Sequence, residues 1–238
     1  MQILVLQHLV SEHPGIFRDF MRADGITWQT AELDEGCEIP PLDRFDAMMV
    51  MGGPQDVWQT DKFPWLITEI EAIRAFVVDM QRPFLGVCLG HQLLAAALGG
   101  TVGPAKHGEV GVLPVDLTET GVADPLFAGV LHPLPVLQWH GAEVAGVPDS
   151  VSVLAKSDVC PIQAIRYGAH AYGVQFHLEA TATTVSDWAA IPEYAAALER
   201  AMGADAAVRL GAHVARTLPR FNASARTIYE NFKALSGW

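Results

Sequence analysis

Gly86-Val87-Cys88-Leu89-Gly90-His91-Gln92 follows the apolar run Pro83-Phe84-Leu85 and leads into Leu93-Leu94-Ala95-Ala96-Ala97-Leu98, ahead of Gly99-Gly100. A short apolar run, a Cys set among small residues and a helix-forming run spell strand, sharp turn, helix, with the thiol at the turn. This is the cysteine form of a nucleophile elbow. A nucleophile on such a turn is held in a strained backbone conformation, and bulky neighbours two residues away would collide with the strand or the helix. The thiol also stands at a helix N-terminus, whose dipole and free N–H groups favour the thiolate. A buried free Cys is otherwise inert packing, so the reading turns on whether the chain supplies a base.

The chain has 238 residues, half of them hydrophobic and 18% charged, enough for one large α/β domain with or without an appendage. Lys plus Arg number 15 against 27 Asp plus Glu, and the net charge of -12 repels phosphate backbones, so nucleic acid is not expected as a partner. No apolar run reaches the roughly 18 residues of a membrane span. Met1 to Val10 lacks the basic start of a signal peptide. Cys37, Cys88 and Cys160 are few and odd in number, which fits a reducing cytoplasm better than a disulfide framework.

From the start, Gln2 to Gln7 is the apolar run of a buried parallel strand. Ile16, Phe17, Phe20 and Met21 follow at helical spacing, closed by Gly25 as a C-cap. Ile26 to Leu33 and Ala47 to Met51 read as further strands, the latter running into Gly52-Gly53-Pro54, and Ile67 to Val77 carries the next amphipathic helix. The alternation implies a mostly parallel sheet flanked by helices, with its site at the strands' carboxyl edge. From Thr101 the pattern changes. Val110 to Leu117, Val136 to Trp139, Val151 to Ala155, Ile162 to Arg166 and Ala171 to Phe176 are short strands between turn residues, which predicts a more antiparallel portion. Residues 181 to 238 read as an Ala-rich helical extension packed on the same domain, broken at Pro192, Gly203 and Pro219.

A base is available in Gln175-Phe176-His177-Leu178-Glu179. In an extended chain residues two apart point the same way, so His177 and Glu179 project together at a strand end. A carboxylate so placed orients and charge-stabilises an imidazole that can serve a thiol from another strand. A His-x-Glu pair is also a routine surface feature; only its pairing with the elbow makes it informative.

Gly52-Gly53-Pro54, the Cys88 segment and Gln175 to Glu179 stand in the order and rough spacing of the class I, triad-type glutamine amidotransferase domain, which residues 1 to 180 resemble. Within that class the chain looks most like free-standing domains similar to the glutaminase part of GMP synthase. The resemblance implies a flavodoxin-like α/β fold, Cys88 as nucleophile, His177 as base and Glu179 as the orienting carboxylate. It implies an oxyanion hole from the backbone N–H groups of Gly53 and Leu89, and glutamine contacts around Gln92 and the Gly52 turn. One departure is visible: Leu178 stands where the family usually has Pro.

Lys106-His107-Gly108-Glu109-Val110-Gly111 resembles the family segment that closes over the glutamine site, which makes Glu109 and Gly111 candidate contacts. His140 lies at a strand end, where it either lines the substrate entrance or makes a structural hydrogen bond. Cys160 reads as core packing, and Cys37 has no partner at metal-ligand spacing, so no metal is expected. No cofactor is implied. Neither a G-x-x-x-x-G-K-[ST] loop nor a Ser- and Gly-rich pyrophosphatase loop is present, so an ATP-dependent synthase would be a separate chain. Three readings stand: a glutaminase component supplying ammonia to such a synthase, a stand-alone hydrolase of γ-glutamyl compounds, and a non-catalytic regulatory protein on the same fold. An intact triad speaks against the last.

Overall fold

A computed structural model describes residues 1–237. Nine strands form one mixed sheet in the order β2-β1-β3-β4-β9-β8-β7-β5-β6. The parallel half consists of β1 (Gln2–Gln7), β2 (Thr27–Glu32), β3 (Ala47–Val50), β4 (Phe84–Val87) and β9 (Ala171–Val174). Side chains of β1 alternate between two cores, Ile3 and Val5 packing on one face and Leu4 and Leu6 on the other. Both faces are therefore covered, as a parallel sheet requires. The covering helices of this half are α1 (Phe17–Ala23), α2 (Trp65–Arg74) and α3 (Leu89–Ala97). Helix α1 ends as its sequence indicates: Gly25 takes φ +68°, and the Ile26 N–H closes back on the Met21 carbonyl at 2.9 Å.

The antiparallel half is larger than the sequence pattern suggests. Strand β5 spans Thr101–Leu117 and β6 spans Leu134–Gly146, paired along nearly their whole length with an irregularity between Pro104 and Glu109. Gly103, Pro104 and Gly108 interrupt the apolar alternation there, so pairing persists where the pattern is lost. A single turn α4 (Glu119–Val122) separates the two, and β7 (Val151–Lys156) and β8 (Ala164–Tyr167) complete the sheet through antiparallel pairs to β5 and β9.

Three helices follow: α5 (Thr184–Ala189), α6 (Pro192–Met202) and α7 (Ala206–Leu235). Pro192 opens α6 and Gly203 ends it, but the expected break at Pro219 does not occur, because α7 runs through it. Leu210 and Val214 on one side of Pro219, and Phe221, Ala225 and Ile228 on the other, are all buried, so both halves are held on one axis by packing. The carbonyl that Pro219 deprives of a donor belongs to Ala215, which is exposed and can be satisfied by water. Among the described residues no helix is long and apolar enough to cross a membrane.

Candidate active site

Three consecutive parallel strands deliver their carboxyl ends to one place. Strand β4 ends at Val87 and passes to Cys88, β3 passes through Met51 to Gly52-Gly53, and β9 passes to Gln175 and His177. The β4–β9 register pairs Gly86 with Gly173 and Val87 with Val174, which sets the thiol beside the chain that carries the imidazole.

Cys88 adopts φ +51° and ψ -104°, a region that L residues rarely occupy. Its N–H donates to the Val174 carbonyl at 2.8 Å, which holds the strained turn against β9. Strain of this kind costs on the order of 1–3 kcal/mol and persists only where surrounding structure imposes it. The glycines on either side leave no room for side chains. A Cβ on Gly86 would lie 2.4 Å from the Gly90 carbonyl oxygen, and one on Gly90 would lie 2.1 Å from that of Val50.

His177 is 1% exposed. Its Nδ1–H donates to Glu179 Oε1 at 2.6 Å, and its backbone N–H donates to the Leu137 carbonyl at 2.9 Å, tying it to β6. The imidazole lies in the electrostatic field of the Cys88 sulfur. Burial opposes its charge, but Glu179 and then the Cys88 sulfur outweigh burial and hold its pKa well above the ordinary 6.5. Trp188 of α5 meets the ring edge-to-face at 4.6 Å between centroids. Leu178, at the family's Pro position, turns into the core and is 3% exposed.

Cys88, Leu89, Gly53, Gln92 and His140 line a single cavity of about 140 Å³, together with Asp56, Trp139 and residues of α6 including Glu193 and Tyr194. Gly52 stands just behind: its carbonyl accepts from His8 Nδ1 at 2.8 Å, and a Cβ on it would strike Glu12 Oε2 at 2.5 Å. The Gln92 amide donates to the carbonyl of Ala142 at 3.2 Å and to Gln175 Oε1 at 3.0 Å, so its N–H groups brace the wall. Glu109 is 5% exposed and faces His140 and Gln163 rather than the cavity. Gly111 lies on β5 at φ +139°, paired with Gln138. Cys160 is fully buried; burial, with Glu109 and Glu143 adding to it, pushes its thiol up to about 12, which keeps it protonated and unreactive as a free thiol.

Gln175, in the segment that carries His177, donates its amide N–H to Cys88 Sγ at 3.5 Å. Other contributors have no motif to announce them. Glu12, in the loop after β1, is 2% exposed and accepts from the Tyr194 hydroxyl at 2.6 Å. Burial raises the Glu12 pKa, opposed by the positive field of His177 and by the Tyr194 hydrogen bond. His8 bonds Glu69 Oε1 through Nε2 at 2.9 Å as well as Gly52 through Nδ1. Both ring nitrogens then donate, which requires the imidazolium; burial opposes that charge, but Glu69 prevails and the pKa of His8 is raised. A buried ion pair thus anchors the Gly52-Gly53 turn. No sequence signal marks these residues, because each is an ordinary type in a loop or helix until the fold brings it in.

The sequence model of the family "Glutamine amidotransferase class-I" matches residues 21–188. The chain belongs to the class I glutamine amidotransferases. It is 35% identical over 188 residues to the glutamine amidotransferase-like protein YfeJ of Salmonella typhimurium, covering 78% of each chain. It is 40% identical over 102 residues to one of the subunits of the glutamine-hydrolysing GMP synthase of Pyrococcus abyssi, covering 42% of this chain and 53% of that one. A crystal structure of a glutamine amidotransferase from Thermotoga maritima superposes with a TM-score of 0.87 at 26% identity, covering 100% of this chain and 99% of that one. The class I amidotransferase fold therefore extends through α6 and α7 in that relative as well.

Proposed function

We propose that this amidotransferase-family chain hydrolyses the side-chain amide of glutamine through Cys88, His177 and Glu179 and hands the ammonia to a separate ATP-dependent synthase. The observation that carries this reading is the imidazole of His177, set between the Glu179 carboxylate at 2.6 Å and the Cys88 thiol beside a small cavity. A carboxamide resists attack because its resonance must be broken and its leaving nitrogen protonated. The Cys88 thiolate attacks the side-chain carbonyl carbon, and the oxygen takes the electron pair while backbone N–H groups of Gly53 and Leu89 stabilise it. Protonated His177 gives its proton to the nitrogen, the C–N bond breaks, and ammonia leaves a γ-glutamyl thioester. Water, deprotonated by His177, then releases glutamate and the free thiol.

The cavity supports a small substrate. At about 140 Å³, and roofed by Glu193, Tyr194 and Ala197 of α6, it suits an amino acid the size of glutamine better than a γ-glutamyl peptide. Asp56 and Glu193 place acid at its wall, suited to the substrate's α-ammonium group; burial raises the Asp56 pKa. The synthase partner is supported by the relationship to the Pyrococcus abyssi protein, whose name describes one component of a glutamine-hydrolysing GMP synthase.

A glutamine-derived chloroketone tests the site: mass spectrometry should find it on Cys88, with Cys88→Ala unlabelled. Glutamate release from glutamine should be slow in the isolated chain and rise when its synthase is added. Faster cleavage of γ-glutamyl dipeptides than of glutamine would replace this reading with the peptidase one. Turnover of neither substrate, with or without a synthase, would leave the non-catalytic reading.

A further inference from the structure

On the far side of the cavity wall lies a second group of reactive side chains that the amide chemistry does not use. Donor atoms of Glu109, His140 and Cys160 lie within 4.8 Å of one another, and all three residues are buried. They come from three separate segments: β5, β6 and the loop 157–163 between β7 and β8. We propose that Glu109, His140 and Cys160 form a binding site for a divalent cation of the zinc class that fastens these three segments together.

The donor set fits that ion. Thiolate, imidazole and carboxylate together suit a borderline-soft, tetrahedral metal, whereas magnesium and calcium take oxygen ligands alone. His140 Nε2 and Glu109 Oε2 stand 3.2 Å apart. Two ligands each about 2.1 Å from a tetrahedral zinc are separated by about 3.4 Å. The pair is therefore already spaced as two ligands of one ion.

The surrounding contacts fit as well. His140 Nδ1 donates to the Ala142 carbonyl at 2.9 Å, so Nε2 is the nitrogen turned to the Glu109 carboxylate. A cation, whether a proton or a metal ion, satisfies both atoms there. Metal-binding histidines commonly spend their other N–H on a carbonyl, and ligating carboxylates are themselves hydrogen-bonded. Glu109 Oε2 accepts from Gln163 Nε2 at 2.6 Å. Three protein ligands leave the fourth tetrahedral position to water, and Glu143 Oε2, three residues on in β6, is buried without a hydrogen-bond partner. On binding, the Cys160 S–H bond breaks, the sulfur pair goes to the metal and the proton goes to solvent.

Such an ion would act on the substrate cavity from behind. His140 and Ala142 both line that cavity, and the Ala142 carbonyl also receives the Gln92 amide. The site is thus structural, and it stands whether or not Cys88 proves to be a nucleophile.

The test uses the full chain, stripped with a chelator and titrated with Co²⁺. One equivalent should produce a near-ultraviolet thiolate-to-cobalt absorption with visible bands of tetrahedral intensity, and Zn²⁺ should abolish both. The absorption should survive Cys88→Ala and Cys37→Ser and vanish in Cys160→Ser. Zn²⁺ should raise the thermal midpoint of the native chain, and Glu109→Gln should weaken Zn²⁺ binding by roughly 10–100-fold or more. Absence of the absorption in the native chain overturns the proposal, as does its persistence in a Cys160→Ser protein with native circular dichroism. So does a midpoint that Zn²⁺ leaves unmoved.

Discussion

The Tyr194 hydroxyl of α6 donates to the Glu12 carboxylate at 2.6 Å, linking a helix near the chain's end to a loop near its start. Glu12 in turn lies in the field of His177, so Tyr194 on the helix over the cavity and the His177 imidazole share one buried carboxylate. Tyr194→Phe removes the donor and leaves a buried acceptor unsatisfied, a loss of about 1–3 kcal/mol. Urea unfolding should register that loss, and glutamine turnover should fall with it.

His177→Ala should lower glutaminase turnover by about 10³-fold, as expected when a positioned general acid–base is deleted. A stopped assay for glutamate reads this directly, with circular dichroism as the check on folding. Activity within tenfold of native would remove His177 from the mechanism.

The pH profile carries a second signature of the same residue. Burial lowers the pKa of His177, but Glu179 is the largest of the influences that raise it above 6.5. Ammonia release needs the proton on His177, so activity should decline on the alkaline side as that proton is lost. Glu179→Gln removes the negative charge, lowers the pKa and should move the alkaline limb to lower pH. An unmoved limb would mean that another group sets it.

Gly90→Ala puts a methyl carbon 2.1 Å from the Val50 carbonyl oxygen, a contact with backbone that no side-chain rotation relieves. Overpacking of this kind costs about 1–3 kcal/mol. Because the displaced turn is the one that holds Cys88, chloroketone labelling should slow by more than the stability loss accounts for. Parallel measurements of the labelling rate and of urea unfolding would separate the two effects.

The elbow was legible in the sequence because its chemistry is local: strand, thiol, helix and two glycines lie within a few residues. His177 and Glu179 were legible for the same reason, since a spacing of two residues decides a shared face. Their meeting with Cys88 comes instead from the β4–β9 register, which residue spacing alone does not encode. The parallel strands announced themselves by unbroken apolar runs, whereas the first part of β5 hid behind Gly103, Pro104 and Gly108. Glu12, Tyr194 and His8 were illegible because their roles come wholly from long-range contacts. Helix α7 contradicted a local rule at Pro219, where buried side chains on both flanks outweigh one lost hydrogen bond.

Glu69→Gln should expose the ion pair under the Gly52-Gly53 turn. Breaking a buried pair costs about 3–5 kcal/mol. The pKa of His8 is raised above 6.5 in the folded chain, so its contribution is fully present below pH 6.5 and is lost as pH climbs through the raised value. The stability gap between native and variant chains should therefore be widest in mild acid and narrow with alkalinity. Urea titrations across that range check the sign.

Although β9 is the final strand to be synthesised, it threads into the middle of the sheet between β4 and β8. Gln175 bonds to a sulfur 87 residues earlier in the chain, so the ring of contacts closes only after a long stretch of polypeptide has been ordered. Contacts so distant in sequence form late, since the entropy of closing the loop must be overcome before they stabilise anything. A nascent chain therefore carries the Cys88 sulfur with no imidazole beside it until the polypeptide through Glu179 has been made and has folded against β4.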